Sequence, residues 1–395
     1  MNKEGVNLIM LYTYKMPTEL FFGRGAAGKV GEKVLELGGK KALVVTDKGV
    51  LGAGLLGGIE ESLKNSNVPY VIFDEVESDP SIETVAKGTE VLKESGCDIV
   101  IGIGGGSSMD AAKAVATMAT NPGKIFDYIG IDKVKNKALP IIAIPTTSGT
   151  GSEATYWSVL TDKKTKFKTG VGGWALMPTL AIVDPLLTKT LPPKVTAFTG
   201  MDALTHAMES YVCKATQPVS EGLAIHAMKL IARSLRKAVA NGDDIDARED
   251  MIMGSLIAAM AFNVTRLGLA HALVSPLGAN FNVPHGLGNA ILLPHVMEFN
   301  IMAVPEKFIE IAKIFGENVD NLPQMEAAYK SVEAVKKLMK DIGITQGLED
   351  FGVTEESLRP IAEEAYKSGN VTVNPRKSTV QDLIDITRKA MKGIK

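Results

Sequence analysis

Four side chains in the second half of the chain have the types and spacing to hold one divalent cation. Asp202 and His206 stand at i and i+4 in Thr199-Gly-Met-Asp-Ala-Leu-Thr-His-Ala-Met-Glu, just after a double proline. In a helix, both would project from one face on adjacent turns. Taken alone, the pair is also what an ordinary helix N-terminus presents. His271 and His285 change the balance: they lie 14 residues apart in an apolar stretch punctuated by Gly268, Pro276, Gly278 and Pro284. The chain has 5 histidines in all, and three of them sit where they could converge with one acid. Three imidazole nitrogens and one carboxylate oxygen suit Fe(II), Zn(II) or a similar ion and leave a position for a substrate oxygen. An ion so held polarises a carbonyl or stabilises an alkoxide. His226, in the middle of a helical pattern, and His295, after a proline, read as structural.

A second group of residues suits a nucleotide. Gly102-Ile-Gly104-Gly105-Gly106-Ser107-Ser108 joins a strand-like run to a helix-like one. Glycines there let the backbone approach a pyrophosphate, and free amides at a helix start bind its charge. The string is not the G-x-G-x-x-G fingerprint, and a plain tight turn would also use it. A polar loop from Pro145 to Glu153, containing Thr146, Thr147 and Thr150, follows the next strand-like run. Loops at the carboxyl ends of successive strands outline a crevice. Asp47 ends an earlier run, where it can accept from a ribose diol and repel a 2′-phosphate, favouring NAD over NADP. It can equally cap the helix that follows.

The elements that must position these groups fall into two styles. Lys41–Thr46, Pro69–Phe73, Asp98–Ile103, Leu139–Ile144 and Thr179–Val183 are short apolar runs separated by helical spacing. Continuous apolar strands alternating with helices predict a parallel, Rossmann-like sheet covered on both faces. After Leu191-Pro-Pro the pattern is almost wholly helical. The expected organisation is an α/β nucleotide-binding domain over residues 1–190 and an all-α metal-binding domain over 191–395.

Composition agrees with a large globular protein: 395 residues, 45% hydrophobic, 22% charged, formal net charge −2. A chain this long buries a sizeable core. Near-zero charge offers no field for nucleic acid or an anionic membrane. Two cysteines in unrelated contexts argue against a disulfide framework. The apolar stretch Val6–Met10 lacks the features of a signal peptide, and the 14-residue run Met251–Val264 is too short to span a bilayer. A cytoplasmic setting follows as the expectation.

With these motifs in hand, the chain resembles the iron-containing (group III) alcohol dehydrogenases over essentially its full length. The resemblance rests on Phe22-Gly-Arg-Gly, Gly104-Gly-Gly-Ser, Pro145-Thr-Thr-x-Gly-Thr-Gly-Ser-Glu, Ile182-Val-Asp-Pro, Gly200-x-Asp-Ala-x-x-His, His271-x13-His285-Gly and Asn374-Pro-Arg. It implies a dehydroquinate synthase-like fold, an iron or other divalent ion on Asp202, His206, His271 and His285, and NAD, with NADP as the alternative. It also implies nucleotide contacts from Asp47, Asp79, Gly104, Gly105, Gly106, Ser107, Thr146, Thr147, Thr150 and Lys168. Read without the resemblance, Lys168 belongs to a solvated turn, Lys163 to Lys168. Substrate-pocket positions fall on Trp157 and Phe262. Ser275 stands where many relatives carry a second histidine, which leaves Ser275, a ribose hydroxyl or water to carry the proton in place of a histidine relay. Arg266 stands where relatives carry small or neutral residues. It would bind an anionic substrate group, such as a sulfonate or carboxylate, or else form an ion pair. The implied reaction is hydride transfer between a short primary alcohol or its aldehyde and the nicotinamide, in a homodimer or larger homo-oligomer. An aldehyde reductase for anionic substrates and a non-redox, dehydroquinate synthase-like lyase are the competing readings. The segment Leu8–Tyr14 is strand-like and suited to pairing between subunits.

Overall fold

The computed structural model describes residues 11–163 and 167–394. Leu8–Met10 of the strand-like N-terminal segment, and Val6–Met10, lie outside the described residues. Residues 11–14 have no regular structure. Nine strands are present among the described residues: β1 (Glu19–Phe22), β2 (Ala42–Val45), β3 (Tyr70–Phe73), β4 (Ile99–Gly104), β5 (Gly130–Ile131), β6 (Ile141–Pro145), β7 (Trp157–Asp162), β8 (Phe167–Gly172) and β9 (Leu180–Val183). Six form one sheet in the order β1-β9-β6-β4-β2-β3, and every pairing in it is parallel.

The sequence dictates this sheet through period-two burial on both faces. In β2, Leu43 and Val45 enter one apolar cluster with Val100 and the helix Gly106–Thr120. Ala42 and Val44 enter another with Ile99, Ile101 and Ile103 on the opposite face. A strand buried on both faces has no polar side to show, which is why the five runs read as unbroken apolar stretches. From β2 the chain steps outward to β3, then returns to lay β4, β6 and β9 on the other side of β2. Strand order therefore reverses between β2 and β4, and a crevice opens at their carboxyl ends. Asp47 and Gly104–Gly106 lie there.

Two features depart from the sequence expectation. β1 is a sixth strand at the sheet edge, and most of its four residues are exposed, so it carries no apolar alternation. The lysine-rich stretch read as a solvated turn instead leads into β8, which pairs antiparallel with β7; Lys168 stands opposite Thr161. With β5 these strands form a small three-stranded sheet beside the main one. Residues 164–166 of that stretch lie outside the described residues.

The last strand ends at Val183 and the long helix Pro193–Val212 begins ten residues later. From there on, the described elements are helical. Helices Pro193–Val212, Pro218–Ala240, Ile245–Thr265, Leu269–Phe281 and His285–Asn300 share one large apolar core. A smaller cluster of Ala154, Ala181, Val183, Ile252, Leu256 and Ala259 joins that bundle to the sheet. No single helix among the described residues is long and apolar enough to cross a membrane. The pair Ile245–Thr265 and Leu269–Phe281, bent by 101°, passes by composition, but it is part of the shared core.

Candidate metal and nucleotide site

Helix Pro193–Val212 starts with Pro193 at its first position, where the missing N–H costs nothing. Two turns on, it carries Asp202 and His206. Helix Leu269–Phe281 presents His271, and His285 is the first residue of the next helix. Asp202, His271 and His285 each offer one ligand atom, and these atoms all lie within 4.8 Å of one another. Asp202 Oδ1 is 3.6 Å from His271 Nε2 and 3.7 Å from His285 Nε2. Two ligands about 2.1 Å from a shared tetrahedral ion stand about 3.4 Å apart, so the spacing fits. His206 lies beside this trio rather than within it. Its ring stacks on His271 and on Phe262, each at 4.5 Å between centroids. Its Nδ1 is 3.2 Å from the Gly149 carbonyl, which leaves Nε2 as its nitrogen for a cation.

A buried side chain tests whether a cation suits the place. Asn289 Nδ2 lies 2.8 Å from Asp202 Oδ1, 3.0 Å from His271 Nε2 and 3.3 Å from His285 Nε2. An amide nitrogen has two protons for these three acceptors, and its Oδ1 is buried without a partner. Three ligand atoms thus converge on one amide nitrogen whose two protons cannot serve them all. One carboxylate oxygen and imidazole nitrogens are the donor set of Fe(II) or Zn(II). The residues fit a divalent ion.

The electrostatics agree. Burial alone would raise Asp202, but His206, His285 and the contact with His271 outweigh it and hold the carboxyl well below the usual range. Burial, against the pull of Asp202, brings His206 down to about 3, so its ring is neutral at pH 7. His271 goes the other way. Burial lowers it, yet its bonds with Asp202 and Glu209 carry it up to about 9. A cation at its Nε2 takes the place of a proton.

Two residues at this site were missed in the sequence. Glu209 is buried and bonds the His271 ring. It lies seven residues after Asp202, so Asp202, His206 and Glu209 share one helix face, a signal that was there to read. Asn289 stands one turn after His285 in the same way.

Five of the residues expected to bind a nucleotide gather at the strand reversal. Asp47, Gly105, Ser107, Thr146 and Thr147 line a cleft of about 960 Å³, together with Asp74, Glu75 and Glu77. Asp47 does cap the following helix: its Oδ1 accepts from the amides of Gly49 at 2.8 Å and Val50 at 3.0 Å. Its Oδ2 accepts from Ser108 and it still faces the cleft. Gly104 has φ +146, a conformation L side chains rarely adopt, and a Cβ there would lie 2.6 Å from Ser108 Oγ. Gly105 caps helix Gly106–Thr120, and Gly106 packs tightly on Thr150. Ser107 donates to the Ser78 carbonyl. Lys168 pairs with Asp79 at 2.7 Å and, with Ser275, lines a second cavity of about 700 Å³.

The remaining pocket candidates divide. Phe262 stacks on His206. The Trp157 ring lies against Gly170 and Gly172 of β8. Ser275 is exposed and donates to the His271 carbonyl at 3.3 Å. Arg266 ends helix Ile245–Thr265 with φ 65 and ψ −169, is exposed, and lays its guanidinium against Gly369. Neither an anion pocket nor an ion pair is built around it among the described residues.

Residues 17–185 match the family model described as iron-containing alcohol dehydrogenase, and residues 196–391 match the C-terminal model of the Fe-containing alcohol dehydrogenase family. The chain belongs to the iron-containing alcohol dehydrogenases. It is 45% identical over 383 residues to a 1,3-propanediol dehydrogenase of Citrobacter freundii, covering 96% of this chain and 99% of that protein. It is 41% identical to an NAD-dependent methanol dehydrogenase of Bacillus methanolicus, covering 95% and 99%. The crystal structure of a 1,3-propanediol oxidoreductase superposes with a TM-score of 0.95 at 44% identity, covering 96% of this chain and all of that one. This alcohol dehydrogenase is therefore a metal-dependent, NAD-linked oxidoreductase of CH–OH donors, and its substrates are small alcohols and aldehydes. Neither the lyase reading nor the anionic-aldehyde reading is favoured.

Proposed function

We propose that this alcohol dehydrogenase interconverts a short, uncharged primary alcohol or diol and its aldehyde, with Fe(II) on Asp202, His206, His271 and His285 and NAD in the cleft between β2, β4 and β6. The observation that carries this reading is one loop. Residues 145–153 place Thr146 and Thr147 in the nucleotide cleft and the Gly149 carbonyl against His206. Nucleotide and metal cluster are thereby held a few residues apart, as hydride transfer requires.

A bound divalent ion would supply Lewis-acid polarisation of the substrate oxygen, and NAD the hydride acceptor. The chain does the rest. Asp202 stays ionised and His206 neutral, both as acceptors. Phe262 shields one face of His206 from water. Gly105, Ser107, Thr146 and Thr147 orient the nucleotide. With serine at position 275, the alcohol proton leaves through water on the exposed Ser275 side. The acidic lining of Asp47, Asp74, Glu75 and Glu77 disfavours a 2′-phosphate. An uncharged substrate is inferred from the Arg266 guanidinium lying against Gly369, and the 1,3-propanediol dehydrogenase relative points to a diol.

The same proposal includes a division into residues 1–190 and 191–395, a cytoplasmic setting, and a homodimer or larger assembly using the exposed β1 edge, where Leu20 and Phe22 are 37% and 38% exposed. A 340 nm assay of alcohols and aldehydes with NADH and NADPH tests the function. Propane-1,3-diol and short primary alcohols should turn over with NAD. Asp202→Ala and His271→Ala should abolish activity while leaving nucleotide binding intact. Full activity after exhaustive metal removal would overturn the reading.

A further inference from the structure

We propose that Glu209 is a positioning residue of the metal centre, which locks the His271 ring so that Nε2 alone faces the cation. The inference rests on the metal site proposed above and adds a residue that holds a ligand without touching the ion.

Both oxygens of this buried carboxylate are committed to one short segment. Oε1 accepts from the Ala270 amide at 2.7 Å. Oε2 accepts from the Gly268 amide at 2.9 Å and meets His271 Nδ1 at 2.6 Å. The 268–271 segment follows the 101° corner and opens helix Leu269–Phe281. Helix-start amides lack intrahelical acceptors and favour a negative charge. No lysine or arginine pairs with Glu209 among the described residues, so these amides and the imidazole are what compensate its charge. The approach is close: a Cβ at Gly268 would lie 2.8 Å from Oε1.

The consequence for His271 is chemical as well as steric. A carboxylate at 2.6 Å takes the Nδ1 proton as a donor, so the metal-binding lone pair belongs to Nε2, which points at Asp202 and His285. A hydrogen bond from the far nitrogen to a carboxylate also makes Nε2 a stronger donor and fixes the ring rotation. Glu209 sits on the helix that carries Asp202 and His206, so one side chain ties the two halves of the ligand set together.

The competing account is that Glu209 only caps the helix. Metal affinity separates the two. Metal-free wild type, Glu209→Gln, Glu209→Asp and His271→Ala would be titrated with Co(II), following its visible spectrum, and with Zn(II) against a competing chelator. Thermal unfolding would be recorded on the same samples. Gln keeps the volume but turns one amide donor toward donors, and Asp keeps the charge but falls short of the ring. The expected result is Zn(II) and Co(II) binding weakened about 10- to 100-fold in both Glu209 variants, with an altered Co(II) spectrum and fully folded protein. Binding within twofold of wild type, with only a lower Tm, would overturn the inference while leaving the metal site standing. Failure of wild type to bind one equivalent of metal would overturn the site itself.

Discussion

Glu153 closes the loop that begins at Pro145, and its burial makes a prediction about stability. Its side chain is 1% exposed and Oε2 has no hydrogen-bond partner. Burial raises its pKa from the ordinary 4.5 to about 7, against smaller opposing effects from its own backbone amide and from buried Lys113. The sign follows from linkage. A carboxyl with a raised folded pKa binds its proton more tightly when folded. Its favourable contribution is therefore complete below the unfolded pKa, about 4.5, and is lost as pH rises toward 7. A shift of about 2.5 units corresponds to about 3 kcal/mol at most, and local relaxation reduces it, so about 1–3 kcal/mol is expected.

Glu153→Gln keeps the shape and removes the titration. Urea unfolding of wild type and variant at pH 5 and pH 8 would measure it. Wild type should lose about 1–3 kcal/mol more than the variant between the two pH values, and the variant should be the more stable protein at pH 8. Parallel pH dependences would refute the reasoning. They would mean that Glu153 is ionised in the folded protein and neutralised by Lys113, whose ammonium reaches Asp110 at 3.3 Å and the Trp157 carbonyl at 2.7 Å.

Two other substitutions test the geometry. Gly104→Ala should weaken NAD binding at least tenfold by calorimetry and lower stability by about 1–3 kcal/mol, because its Cβ would displace Ser108 from Asp47; unchanged affinity would show that the glycine serves only the turn. Arg266→Gly should raise stability by about 1 kcal/mol in urea, since φ 65 with ψ −169 belongs to glycine. Arg266→Ala should leave KM for charged and neutral aldehydes alike within twofold, whereas a selective loss for charged ones would revive the anion pocket.

What the sequence made legible followed from which groups had only one use. Unbroken apolar runs have no stable place outside a doubly covered sheet, so β2, β3, β4, β6 and β9 were readable. β1 was not, because Glu19–Phe22 is an edge with most residues in solvent. β7 and β8 were hidden by the lysines that lie between and beside them in sequence, which read as a solvated loop. Asp202 and His206 could be put on one helix face from their i, i+4 spacing, but that pair alone is also what a helix N-terminus presents, and only His271 and His285 tipped the balance toward a cation. Glu209 shared that face and was still missed, since an acid in an Ala- and Met-rich helix is ordinarily solvated, and only the corner after Thr265 brings His271 beneath it. Asp47 admitted two roles from sequence, and the fold gives it the cap while leaving it at the cleft.

The loop from Pro145 to Glu153 touches both parts of the proposed site. Thr146 and Thr147 line the nucleotide cleft, the Gly149 carbonyl receives His206, and Glu153 is buried behind them. From Thr147 to Gly149 the chain spans at most about 7 Å. In the arrangement proposed above, nucleotide and metal cluster are tied through this short stretch of chain. Gly149 has no spare room: a Cβ there would lie 2.8 Å from the Thr199 side chain, one turn before Asp202. That close packing holds the loop against the helix that carries Asp202 and His206. Substitutions at Gly149 should therefore affect nucleotide affinity and metal affinity jointly, while those at Thr147 affect the nucleotide alone.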